Sequence, residues 1–162
     1  MSTPIALKSL TTREAVADAL HRAILAIDTN SEALLASSIL DSPETTWALG
    51  DRVMRGYAEA YAVFARVGPM DTLHSISNIR VNVEEGDEVA TMSAHAVAHH
   101  FRAGEGKEPA VAPYTTGGIY DMECVWVAGE GLWKIRRWEM KVMFYLGDRS
   151  VMMPRAEGEK AA

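Results

Sequence analysis

One cysteine, Cys124, stands in 162 residues, so no internal disulfide can form and a reducing compartment is expected. Long apolar runs are missing. No stretch approaches the roughly 18 residues that a membrane-spanning helix needs. Residues 1–10 hold one lysine and no run fit for a signal peptide, and a cytoplasmic protein is expected. Positive charge is scarce, with 16 Lys and Arg against 22 Asp and Glu, a net charge of −6. That balance lacks the basic footprint of a nucleic-acid binder and would be repelled by an anionic membrane surface. There is no phosphate loop, no dinucleotide fingerprint and no Gly-x-Ser-x-Gly elbow. Gly117-Gly118, at the start of a strand, reads as a bulge rather than a phosphate cradle.

What is present is ordinary globular material, 48% apolar and 23% charged, enough for one core. A single domain is expected over residues 11–147, with tails at 1–10 and 148–162. The pattern changes once, at Gly68-Pro69, from helical to strand-like. Thr11 and Glu14 have capping-box spacing, and Val16, Leu20, Ala23, Ile24 and Ile27 follow as one helical face. A second helix is predicted through Leu34, Leu35, Ile39 and Leu40, capped by Asn30 or Ser31. A third is predicted over 53–67, with Tyr57, Tyr61 and Phe64 on one side. Strands are predicted at 72–84 and 88–102 around Glu85-Gly86-Asp87, and at 114–127 and 132–146 around Gly129-Glu130-Gly131. Helices followed by long antiparallel strands imply an α+β fold, a cone-shaped curved sheet, mixed or antiparallel, wrapped on N-terminal helices and enclosing one pocket.

Four of the five histidines fall in the first hairpin. With Gly86-Asp87 as a two-residue loop, His74 lies opposite His99 and Asn78 opposite His95. With Glu85-Gly86 the partners shift by two. In both cases His74, Asn78, His95 and His99 share a face and His100 points away, unless a bulge intervenes. Asp28 flanks the buried face of helix one, about 40° round from Ile24. It either reaches under the helix toward the sheet, caps the second helix, or merely ends the first. His95-x-x-x-His99 is a zinc motif only as a string, because residues four apart on a strand lie about 13 Å apart. Asp28, His74 and His99 could in principle form a two-His-one-carboxylate iron site.

The order Asp28, Thr72-Leu73-His74, Gly118-Ile119-Tyr120-Asp121 and Gly131-Leu132-Trp133-Lys134-Ile135 resembles the SnoaL-like branch of the nuclear transport factor 2-like superfamily. Within it, the pattern is similar to the scytalone dehydratase and dehydrochlorinase type, over about residues 11–147. The resemblance implies an Asp–His base acting without cofactor, with Asp28 and His74 in those positions and His99 as the second histidine. The two tyrosines with which scytalone dehydratase polarises its substrate fall at Ile27 and Trp47, and its pocket Ser and Asn at Tyr120 and Met122. A different substrate is therefore expected. The chemistry implied is proton abstraction beside a carbonyl by His74, with Asp28 fixing its tautomer and His99 or Tyr120 returning a proton. A dehydratase, or an isomerase or cyclase, would result. Trp47, Tyr57, Tyr61, Tyr120 and Met122 would line a pocket for a hydrophobic or aromatic substrate of polyketide or terpenoid kind. No metal, nucleic acid or membrane partner is expected, and a homo-oligomer, dimer or trimer, is. A non-catalytic binding or assembly module with the same cone is the alternative, and the iron site a third possibility.

Overall fold

The structure is a computed structural model that describes residues 4–153. The expected tails, 1–10 and 148–162, therefore lie partly outside the described residues. The first helix, α1 (Thr12–Asp28), begins at the capping box. Thr11 Oγ1 accepts from the Glu14 amide at 3.3 Å, and the Glu14 carboxylate accepts from the Thr11 amide at 2.7 Å. Its predicted apolar face is buried throughout. Asn30 turns the chain at φ 50°, and α2 (Glu32–Ser38) follows with Ser31, not Asn30, as its cap.

The third helix departs from expectation. Residues 53–55 are not helical: β1 (Thr46–Leu49) and β2 (Arg52–Arg55) form a small hairpin, and α3 spans Gly56–Val67. Gly50 (φ 57°) provides the left-handed turn between the strands, and Gly56 (φ 76°) separates strand from helix. Trp47 and Met54, opposite each other in the register, turn inward and anchor the hairpin to the core.

The second half is as predicted: β3 (Asp71–Asn82), β4 (Val89–Phe101), β5 (Tyr114–Val127) and β6 (Leu132–Leu146). With β1 and β2 they make one open six-stranded sheet in the order β2-β1-β6-β5-β4-β3. All neighbours are antiparallel except β1 and β6, which run parallel. The sheet is thus mixed, and the helices lie across one face of it. The inner side of β4 is almost all alanine (Ala90, Ala94, Ala96 and Ala98, with Met92). Such small side chains let α1 pack closely at one end and leave room for a cavity at the other. A short 3-10 helix, Arg149–Met152, follows β6. Among the described residues no helix is long and apolar enough to cross a membrane.

One buried cation ties the layers together. Arg22 pairs with Asp18 at 2.7 Å, donates to the carbonyl of Ser37 in α2, and donates to that of Trp133 in β6 at 2.8 Å. The expected bulge at Gly117-Gly118 is present, where β6 slips by one residue against β5. A Cβ on Gly118 would stand 2.7 Å from the Lys141 carbonyl oxygen, which accounts for glycine there.

Candidate active site

Asp28 is the last residue of α1, where the helix dipole disfavours a carboxylate. Two donors from one residue of β3 compensate. Asp28 Oδ2 accepts from the His74 amide at 2.9 Å, and Asp28 Oδ1 from His74 Nδ1–H at 2.6 Å. Both side chains are under one-tenth exposed. A short charge-assisted bond at Nδ1 fixes the ring's orientation and tautomer and leaves Nε2 with its lone pair.

The register of β3 on β4 decides which second histidine joins them. Near the loop the pairing is as expected, with Arg80 opposite Ser93. Between Ser77 and Arg80 a bulge intervenes, centred on Asn78 at φ 52°. Beyond it His74 lies opposite Ala98, not His99. One extra residue exchanges the faces of a strand. His100 therefore shares the inner face with His74, their rings meeting edge to face with centroids 5.4 Å apart. His99 and His95 face outward, His99 Nδ1 hydrogen-bonding Thr115 Oγ1 and His95 Nδ1 the Asn78 amide, each at 2.9 Å. The expectation for His99, both as second catalytic histidine and as iron ligand with Asp28 and His74, is corrected accordingly.

A cavity of about 300 Å³ opens between helices and sheet. Ile24, Ile27, Trp47, Phe64, His74, His100, Tyr120 and Trp138 form its buried wall. Trp47 stacks on Trp138 at 4.9 Å, nearly coplanar, and the Tyr120 ring meets the edge of Trp138 at 5.2 Å. Of the expected lining, Trp47 and Tyr120 are in place and Tyr57, Tyr61 and Met122 are not. Only the last two turns of α3 reach the cavity, through Val63, Phe64, Arg66 and Val67. Tyr61 instead donates to Glu32 of α2 at 2.6 Å. Met122 is buried one pair of residues further along β5, beside a more open, polar depression of about 390 Å³ that no histidine lines.

Burial sets the protonation of the wall. It pushes His100 down to about 4, helped by His74 and His99 and opposed by Asp28, so the ring is neutral near pH 7. Its Nδ1 lies 2.9 Å from Thr72 Oγ1. Burial, and secondarily the Asp28 charge, raises the Tyr120 hydroxyl well above the ordinary tyrosine range. Burial likewise lifts Cys124 to about 12, which removes it as a nucleophile. The Tyr120 hydroxyl has no hydrogen-bond partner among the described residues, and Trp138 Nε1 is a buried donor without one. The site thus offers a carboxylate-bound imidazole beside neutral donors in an apolar chamber. His100 escaped sequence reasoning, and the one available signal was Asn78, a residue type that tolerates positive φ.

Three comparisons bear on this arrangement. A relative from Penicillium crustosum, the terrestric acid biosynthesis cluster protein E, is 38% identical over 144 residues, covering 88% of this chain and 90% of its own. A crystal structure of a hexachlorocyclohexane dehydrochlorinase (LinA) of type 2 superposes with a TM-score of 0.66 at 19% identity, covering 93% of each chain. A structure assigned as a scytalone dehydratase, from Novosphingobium aromaticivorans, gives a TM-score of 0.68 at 19% identity, covering 89% of this chain and 94% of the other. At such identities the two structures show a shared nuclear transport factor 2-like fold. Residues 8–139 match the SnoaL-like domain, and the chain belongs to that family.

Proposed function

We propose that the protein is a cofactor-free lyase or isomerase/cyclase that removes a proton beside a carbonyl group. The observation that carries this reading is the buried Asp28–His74 pair at 2.6 Å on the wall of an apolar cavity. His74 Nε2 takes the proton, and the C–H electron pair becomes an enolate. Asp28 stabilises the imidazolium that forms. The neutral His100 ring and the Tyr120 hydroxyl are hydrogen-bond donors for the enolate oxygen. Neither is a strong acid: His100 carries no spare proton near pH 7, and the Tyr120 proton is held tightly. The His74 imidazolium is then the best acid in the chamber. It returns its proton either to a departing hydroxyl, giving a double bond and water, or to another carbon, giving an isomer.

The fungal relative named for a biosynthesis cluster supports a role in secondary metabolism, and the aromatic walls suit a polyketide or terpenoid intermediate. A homo-oligomer is part of this reading. The outer face of the sheet leaves Leu73, Phe144 and Leu146 largely exposed beside Phe101 and Ile119. Light scattering on the purified chain should give a mass above one subunit, and a monomer would remove that element.

The catalytic test needs only the first half-reaction. A panel of β-hydroxy ketones and cyclic 1,3-dicarbonyls is incubated with enzyme in D₂O, and deuterium entering beside the carbonyl is read by NMR. Exchange catalysed by the native chain and lost in His74→Ala is expected. Exchange that survives in His74→Ala would remove His74 as the base, and ligand binding with no exchange by the native chain would return the protein to the non-catalytic members of its fold.

A further inference from the structure

The residues around the cavity separate by exposure. Its depth is buried and apolar, whereas Leu49, Tyr145, Arg66 and Arg149 stand exposed at its mouth. No Asp or Glu side chain lines it, although acidic residues outnumber basic ones in this chain. Three cationic residues do: Arg66, Lys141 and Arg149. Lys141 pairs with Ile119, between the inward Met140 and Val142, so alternation turns its side chain to the other face. Arg66 and Arg149 remain, one from α3 and one from the 3-10 helix. Neither forms an ion pair or hydrogen bond within the described residues.

The 3-10 helix that carries Arg149 is firmly held. The Arg102 guanidinium donates to the carbonyls of Ser150 at 2.7 Å and Met153 at 2.8 Å, and Asp148 caps Ser150 through its amide at 2.8 Å and its hydroxyl at 2.6 Å. A second charge argues for the same polarity. Asp28 lies behind His74 at the cavity wall, and an anion placed deep would face it through a medium that screens poorly. An acidic group on a ligand is favoured only at the outer end.

We infer that the substrate is an amphiphilic acid: its apolar body fills the chamber and its carboxylate, or an equally delocalised acidic enol, sits at the mouth between Arg66 and Arg149. Planar guanidinium forks match a two-oxygen anion in a way that a lysine cannot. Arg102 is a positioning residue that presents Arg149. This inference rests on the cavity being the substrate site, and it fixes the orientation: the carbon acid enters first, toward His74, and the acidic group trails.

The test uses a matched pair of probes, naphthalene-2-carboxylate and naphthalene-2-carboxamide, titrated calorimetrically into the full chain at low and high salt. The native protein should prefer the carboxylate by at least about tenfold, with the preference shrinking as salt rises. The double variant Arg66→Gln/Arg149→Gln should bind both probes alike, with amide affinity unchanged as the control for folding. Arg102→Ala should reduce the preference partly. Equal affinities in the native chain, absence of carboxylate binding, or a preference that survives the double variant each overturn the inference. Asp28→Asn separates it from the catalytic reading. A carboxylate preference intact in that variant, with no deuterium exchange by the native enzyme, would sink the catalysis and keep the anion site.

Discussion

Asp28→Asn asks what the second carboxylate oxygen does. In the native site both oxygens face donors: Oδ1 the His74 Nδ1–H, and Oδ2 the His74 amide. An asparagine has one oxygen for two donors. If the oxygen keeps the backbone amide, the side-chain NH₂ faces Nδ1, which must then be unprotonated. The proton moves to Nε2 and the base is lost. If the oxygen keeps Nδ1–H, the NH₂ faces the backbone N–H and leaves a buried donor unmet, at about 1–3 kcal/mol. The wrong tautomer is thus favoured roughly 5- to 150-fold. Loss of the charge-assisted bond to the imidazolium removes about 1.5–3 kcal/mol more from the transition state. Together these predict a fall of about 10²–10⁴ in the rate of exchange. Long-range ¹H–¹⁵N spectra read the tautomer without any substrate. The native neutral ring should carry its proton on Nδ1 and the Asp28→Asn ring on Nε2. An unchanged tautomer in the variant would refute the reasoning whatever happened to the rate.

Three further outcomes follow from the packing. The folded-state pKa of His100 is depressed from 6.5 to about 4, so the unfolded chain binds the extra proton first as pH falls. Stability should therefore be fully present above about pH 6.5 and decline toward pH 4, by about 3 kcal/mol from this residue, and urea denaturation of His100→Asn should show a flatter profile over that window. A His100→Asn slope equal to the native one would count against it. Arg22→Ala strands the Asp18 carboxylate and two carbonyls and should cost about 3–5 kcal/mol in chemical denaturation, partly recovered by adding Asp18→Ala; a loss below about 1 kcal/mol would show the staple to be idle. Gly118→Ala brings a methyl against the Lys141 carbonyl oxygen and should destabilise by about 1–3 kcal/mol, with a melting temperature unchanged from native as the contrary result.

Much of the fold was written in local signals. Thr11 and Glu14 mark the start of α1 because a capping box is self-contained, and β5 and β6 coincide with their predicted spans because long alternating runs are bounded by turn residues. The Asp28–His74 contact was legible only through a family resemblance, since its partners belong to different elements. What was lost depends on distant or single-residue geometry. β1 and β2 have four residues each, too few for alternation to stand out, and β1 finds its partner in β6. Parity assigned His99 to the cavity because parity is blind to the residue inserted at Asn78. Tyr57 and Tyr61 have the spacing of a pocket stripe, yet spacing does not say which turn of α3 reaches the cavity.

The position of β6 bears on how this chain is made. It lies in the middle of the sheet, with β1 on one side and β5 on the other, yet it is the last of the described strands to be synthesised. Trp47 must await Trp138, Arg22 must await the Trp133 carbonyl, and the Leu40 amide must await the Ile135 carbonyl. Until residues 132–146 leave the ribosome, the nascent N-terminal half holds an unmatched arginine, an unpaired hairpin and an apolar helical face with nowhere to dock. Such a chain cannot mature sector by sector during translation. The cavity closes in one late step, and a product truncated before Leu132 would be a client for chaperones rather than a smaller folded protein.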